Sequence, residues 1–519
     1  MRKFPMSTVR SRESSPSRAP FRAVRVLAAC ALSALAVIAP LGGCASAPEA
    51  AMARSAPAAL PRETFDAVWT TVRDQHFDPS LNGVDWNAVR DELRPRAEAA
   101  KSQSELRGVL QEMLATLGQS HFSVIPAEAD DADGAAEQEP ASTASTTSAE
   151  PELLPPDRAV GVLGLDLASV EGFPTVTRVT PGLPAARAGV LLGWRLVAVN
   201  GAEIAPMVEE TRARLAELES SGRDPHSPEA TQLRMALVFA GQQLLVGPVG
   251  STAEVVFEDA SGAEQSVSLS YEAPPLGSSS FGNLPPFPVD VQSQVLERPV
   301  EGGAPLRVGY LAFNIWMTGA SDAIHRGVDK LRRSDGIVLD LRGNPGGVAA
   351  MSMGVAGFFT AEPFSLGTFI GRDNSLEFRA APRRLSAEGT RVRPYTRPLA
   401  ILIDGRSAST SEIFAGGMQE AGRARVFGET TAGMALPAQA VRLPNGDVLL
   451  HAIADFATPK GVRIEGRGVV PDEVVPQRLS SLREGRDEVL EQAITWIRTR
   501  TLESRAERAK RAESGASNP

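Results

Sequence analysis

Two cysteines in 519 residues, Cys30 and Cys44, leave no basis for a disulfide framework. Aromatic residues are scarce as well, at 5%, which argues against a base-stacking surface. The net charge of −9 lacks the basic footprint that nucleic acid requires, so no nucleic-acid partner is expected. There is no His-Glu-x-x-His segment, no Cys/His cluster and no phosphate loop, so neither a metal nor another cofactor is expected. Long hydrophobic runs are missing too; a membrane-spanning helix needs roughly 20 apolar residues. What remains is ordinary globular composition, 43% hydrophobic and 22% charged, in a chain too long for one core.

The first 25 residues carry Arg2, Lys3, Arg10, Arg12, Arg18, Arg22 and Arg25 against a single Glu13. A short apolar run, 26–40, follows and fits an export leader. Leu41-Gly42-Gly43-Cys44 resembles a bacterial lipobox, which implies removal of residues 1–44 and lipidation of Cys44. Losing seven basic residues and one acidic residue leaves 46 against 61, a net charge of −15. So acidic a body will not cling to an anionic bilayer, and the lipid would be the anchor. The expected location is the cell envelope, periplasm-facing, with Ala45 leaning towards the outer membrane.

Residues 45–60 read as a tether rich in Ala, Pro and Ser. A helical domain is expected over 61–126. Phe65, Val68, Trp69 and Val72 share one face, Asp85 reads as an N-cap, and Ser102 with Glu105 has capping-box spacing. Gly118 would end the third helix, three residues before His121. Residues 127–157 are a low-complexity linker. Residues 158–273 form a small β domain, with a charged helical insertion at about 207–245. A second linker is expected at 274–304, then a layered α/β domain over 305–478, and a C-terminal helix and tail over 479–519. The expected class is α/β multidomain.

Two strand-to-helix junctions of the α/β domain carry chemistry. In Leu341-Arg342-Gly343-Asn344-Pro345-Gly346-Gly347, glycines let backbone N–H groups face an anion or oxyanion. A plain structural junction reads equally well. In Ser407-Ala408-Ser409-Thr410-Ser411-Glu412, Ser409 and Glu412 also have the spacing of a capping box, a purely structural device.

The two junctions, the segment 461–472 and the segment 159–204 together resemble the C-terminal-processing and tricorn-type serine peptidases. The last of these resembles their PDZ domain, through Gly182-Leu183-Pro184-Ala185-Ala186-Arg187-Ala188-Gly189. The resemblance covers most of residues 60–475. It implies a crotonase-like peptidase core with Ser409 as nucleophile and Thr410 with Gly346 or Gly347 as oxyanion donors. It also implies a peptide-binding loop at Gly161, Val162, Leu163, Gly164 and Leu165. Protein or peptide would be the substrate, in the manner of a tail-specific protease, with room for an adaptor or activator.

One departure matters. The processing-peptidase branch pairs its serine with a lysine where this chain has Met434, and a thioether accepts no proton at useful pH. Lys460 lies nearby in sequence but reads as a solvated loop residue. The tricorn-like branch uses a histidine and a glutamate instead, and the positions that resemble them are His121 and Glu465. Imidazole suits the base, and a carboxylate on its far nitrogen would fix the tautomer. The competing reading is an inactive peptidase-like protein that binds peptide C-termini through the PDZ-like domain.

Overall fold

The structure, a computed structural model, describes residues 36–37, 60–126, 160–223, 227–280 and 286–515. Cys44, residues 45–59 of the proposed tether and the low-complexity linker lie outside the described residues, and Leu60, expected in the tether, is helical.

Three helices open the ordered chain: α1 (Leu60–Gln75), α2 (Trp86–Glu98) and α3 (Gln103–Ala115). Phe65, Val68, Trp69 and Val72 are buried as their spacing predicts. Asp85 caps α2 by accepting from the Ala88 N–H, and Ser102 caps α3 by accepting from the Glu105 N–H. Their shared core includes Leu436, Leu443 and Leu449 from far along the chain, so the helical region is not independent of the α/β domain. Directly after α3, strand β1 (Ser123–Ile125) pairs antiparallel with 448–450 of a later strand. A packed helix on one side and a strand ladder on the other therefore fix the chain around His121.

The β module follows. Its sheet contains β2 (Leu165–Val170), β3 (Phe173–Val179), β4 (Arg195–Val199), β5 (Thr252–Glu258) and β6 (Glu264–Ser270). Its insertion is two helices, α4 (Ala205–Ser220) and α5 (Pro228–Leu244). Helix α5 lies against β2, and its Met235 reaches Ala408, Ala432 and Met434 of the α/β domain.

The α/β core is built on β7 (Val291–Arg298), β8 (Leu306–Phe313), β9 (Gly336–Asp340), β10 (Leu399–Ile403), β11 (Arg425–Gly428) and a last strand (Glu473–Val474), hydrogen-bonded in that order. Only the β7–β8 pair is antiparallel. Strand β7 lies inside the stretch expected as a linker at 274–304. Gln292, Ser293 and Gln294 disguise it, and an edge strand can carry such residues. Both faces of β9 and β10 are covered, which explains their unbroken apolar runs. Ile337, Leu339, Ile401 and Ile403 join the main core. Val338, Ala400 and Leu402 pack under Val489, Ala493, Ile494 and Ile497 of the C-terminal helix. That helix runs from Glu488 to Gly515, so most of the expected tail is helical.

Module and core meet over a cavity of about 90 Å³. Asp166 and Arg178 line it from the module, and Asp340, Arg342, Asp404 and Arg406 from the core. It contains neither Ser409 nor His121 and is not the reaction site.

Candidate active site

Both chemical junctions leave the carboxyl ends of adjacent parallel strands, where ligands of open α/β sheets bind. Strand β9 runs into the 341–347 turn, and β10 runs through 404–409 into helix α6 (Thr410–Glu420). The turns are stitched together. Ser407 Oγ donates to the Leu341 carbonyl (2.8 Å), the Ala408 N–H to the Asn344 carbonyl (3.1 Å) and Ser411 Oγ to the same carbonyl (3.0 Å). Ser411 Oγ also accepts from Trp316 Nε1 (2.9 Å). Of the three serines, only Ser409 keeps a hydroxyl with no hydrogen-bond partner, and it is fully buried. Half of the capping box forms: Glu412 accepts from the Ser409 N–H (2.9 Å), but Ser409 Oγ does not cap the helix.

The backbone at Ser409 is strained, with φ 56° and ψ −116°. L-residues enter this region only when their surroundings force them, commonly at functional sites. Gly346 makes the close approach possible. A Cβ there would lie 2.7 Å from Ser409 Cβ, 2.9 Å from the Ala408 carbonyl oxygen and 3.0 Å from Thr410 N. The Gly346 N–H already donates to Asn344 Oδ1 (3.0 Å), so it is not free to face an oxyanion.

His121 also has a positive φ, 63°, and is fully buried. Its Nε2 has no partner, while Nδ1 lies 2.7 Å from Ser120 Oγ. Ser120 Oγ in turn donates to Glu465 Oε2 (2.9 Å), and the Ser120 N–H donates to Glu465 Oε1 (2.8 Å). The carboxylate thus does not touch the ring, contrary to the direct pairing expected; one hydroxyl stands between them. Sequence reasoning missed Ser120, whose only signal was its place beside the histidine. The relay has a direction. The single Ser120 proton goes to Glu465, so Ser120 Oγ accepts from Nδ1–H. That tautomer leaves Nε2 as a bare acceptor. His121 Nε2, an acceptor, and Ser409 Oγ, a donor, are thus both buried and unpartnered, and are not hydrogen-bonded to each other.

Burial pushes the His121 imidazole down to about 3 and raises the Glu465 carboxyl. Burial likewise pushes the Glu412 carboxyl up to about 7, against four donors that favour its anion. Loss of solvent is the first cause in each case.

Sequence profiles match two stretches of the chain: peptidase family S41 over residues 307–475 and the tricorn protease C1 domain over residues 57–115. The first contains Ser409 and Glu465, and the second ends just short of His121. The chain is a serine peptidase, and its residues 307–475 match family S41. This peptidase is 25% identical to carboxyl-terminal-processing peptidase 2, chloroplastic, from Arabidopsis thaliana, over 80% of its own length and 68% of the relative's. It is 24% identical to a Synechocystis carboxyl-terminal-processing protease, over 80% and 81% respectively. The solved structure of mature CPAF complexed with lactacystin has a TM-score of 0.50 at 13% identity. That match covers 84% of this chain and 98% of the other, a likeness of fold.

Within this peptidase, Met434 is buried against Ala408, Ala432 and Met235, a purely apolar setting. Lys460 is exposed in its turn, where its N–H donates to Glu420. Residues Ala36–Val37 pair in parallel with both Gly347–Val348 and Pro437–Ala438, so these two edges accept an extended chain between them. Among the described residues, no cluster of three or more His, Cys, Asp or Glu side chains could hold a metal.

Proposed function

We infer that this peptidase cleaves peptide bonds with Ser409 as nucleophile and His121 as base, and that Glu465 acts through Ser120. The pair of unpartnered buried atoms, Ser409 Oγ and His121 Nε2, carries the reading. His121 Nε2 takes the Ser409 proton as Oγ attacks the carbonyl carbon, and the developing imidazolium is steadied by Ser120 and Glu465. The oxyanion forms against N–H groups of Thr410 and Gly347 at the start of α6. His121 then gives its proton to the leaving amine, and water releases the acyl-enzyme by the same route. An extended substrate segment would add between the edges at 347–348 and 437–438.

The substrates proposed are unfolded or tail-presented proteins of the cell envelope, reached by a chain anchored through a lipid on Cys44 on the periplasmic side. The β module would act as a PDZ-like domain, taking a chain end at Gly161–Leu165. There, the Leu163 and Gly164 carbonyls turn inward to Ala185 and Thr180.

The test is cleavage of unfolded casein and labelling by a serine-directed phosphonate. Wild type and Lys460→Ala should cleave, and the label should fall on Ser409. Ser409→Ala and His121→Ala should be inert. A wild type that neither cleaves nor labels would instead support a peptide-binding scaffold.

A further inference from the structure

Glu412 takes no part in the mechanism above, yet it is fully buried directly behind the nucleophile. Its neighbours along α6, Ile413, Phe414 and Ala415, are buried and apolar. A carboxylate in such a place is costly unless donors surround it. Here they do. Oε2 accepts from the N–H groups of Ser409 (2.9 Å) and Met434 (2.9 Å). Oε1 accepts from the Thr431 hydroxyl (2.5 Å) and the Gly433 N–H (2.8 Å).

The next residue, Ala435, donates its N–H to Glu465 Oε2 (3.0 Å). Three consecutive N–H groups are therefore gripped by two carboxylates: Gly433 and Met434 by Glu412, Ala435 by Glu465. The Met434 carbonyl also accepts from the Ser409 N–H (2.9 Å). The far side is braced as well. Thr431 Oγ1 accepts from the Val469 N–H (2.6 Å), and the Gly433 carbonyl accepts from the Gly466 N–H (2.8 Å). One end of this short strap holds the nucleophile; the other holds the carboxylate of the histidine relay.

The geometry assigns Glu412 as a positioning residue that, through the strap 433–435, sets Ser409 against the His121–Ser120–Glu465 relay. The assignment rests on the reading of Ser409 and His121 given above. It also gives the strap a function that does not depend on the side chain at 434: Met434 contributes its N–H and carbonyl.

Glu412→Gln is the sharp perturbation, because it is nearly isosteric but cannot satisfy the site. Each carboxylate oxygen accepts two donors, so the glutamine NH₂ must face donors whichever way the amide is turned. The full chain is assayed for kcat and KM on unfolded casein, for the rate of phosphonate labelling at Ser409, and for the final fraction labelled. Expected are losses of about 10- to 100-fold in kcat and labelling rate, as for a misplacement on the order of 1 Å. KM should stay within about twofold and the final labelled fraction should be that of wild type. Thr431→Val removes one donor of four and should give a smaller loss of the same kind. Rates within twofold of wild type in Glu412→Gln overturn the assignment. So does a loss confined to KM or to the labelled fraction, which would mark a role in binding or folding alone. Should Glu412→Gln fail to fold, an unchanged labelling rate in Thr431→Val overturns it. A wild type that does not label at Ser409 sinks the underlying reading instead, so the two failures are distinguishable.

Discussion

Removing the Ser120 hydroxyl tests the direction of the relay. In Ser120→Ala, Glu465 keeps the N–H groups of Ser120 and Ala435, at 2.8 and 3.0 Å. His121 Nδ1–H loses its described partner, Ser120 Oγ at 2.7 Å. An unmade buried hydrogen bond costs about 1–3 kcal/mol with a neutral ring. In the transition state the ring is a cation and the lost bond is roughly twice as strong. The difference, about 1–3 kcal/mol, falls on the barrier and predicts a kcat about 5- to 150-fold lower. KM should barely move, because Ser120 is bonded to His121 and Glu465 and has no place in the proposed substrate contact. Ser120→Thr keeps a hydroxyl and should recover most of the rate. Steady-state kinetics on unfolded casein decide the matter. A kcat within twofold of wild type in Ser120→Ala would refute the relay, as would a loss equal to that of His121→Ala. Failure of threonine to rescue would show that packing, not the hydroxyl, is at stake.

Other outcomes follow from single contacts. Gly346→Ala should abolish activity and lower the unfolding temperature, since φ is 103° and the new Cβ would press on Ser409 and Ala408; calorimetry beside a casein assay checks it. His451 is fully buried, and burial pushes it down to about 4. The unfolded chain, with histidine near 6.5, binds a proton that the folded chain refuses, so stability falls as pH drops from about 6.5 to about 4. His451→Leu should remove one proton from the uptake on unfolding in that window, and denaturant titrations at several pH values would expose an unchanged slope. Arg342 is held by Asp340 (2.6 Å) and Asp487 (2.7 Å) at the root of the 341–347 turn. Arg342→Met should cost about 3–5 kcal/mol by leaving the buried Asp340 carboxylate without its paired cation. Urea unfolding would contradict this if its midpoint stayed put.

Much of the molecule was legible because its signals are local. The apolar faces of α1 and α3, the caps at Asp85 and Ser102, and the apolar runs of β9 and β10 depend on residues a few positions apart. Strand β7 was not legible, because on an edge its polar residues need not alternate against a core. Nor was the full length of the C-terminal helix, whose last turns are charged and lack an apolar stripe. Ser120 was hidden for a different reason: its partners are an adjacent ring and a carboxylate 345 residues away.

By itself the sequence determined the likeness to serine peptidases, the two turns at the strand ends, and a short list of residue types able to do acyl chemistry. It excluded a lysine at position 434 outright. Which of the three serines keeps a free hydroxyl is a matter of who bonds to Ser407 and Ser411, and those partners come from another strand. That Glu465 reaches His121 through Ser120, and that Glu412 grips the strap 433–435, are likewise distances between segments far apart in the chain. Hydrogen bonds of this kind act over about 3 Å. No spacing along a sequence can specify them until packing has brought the segments together.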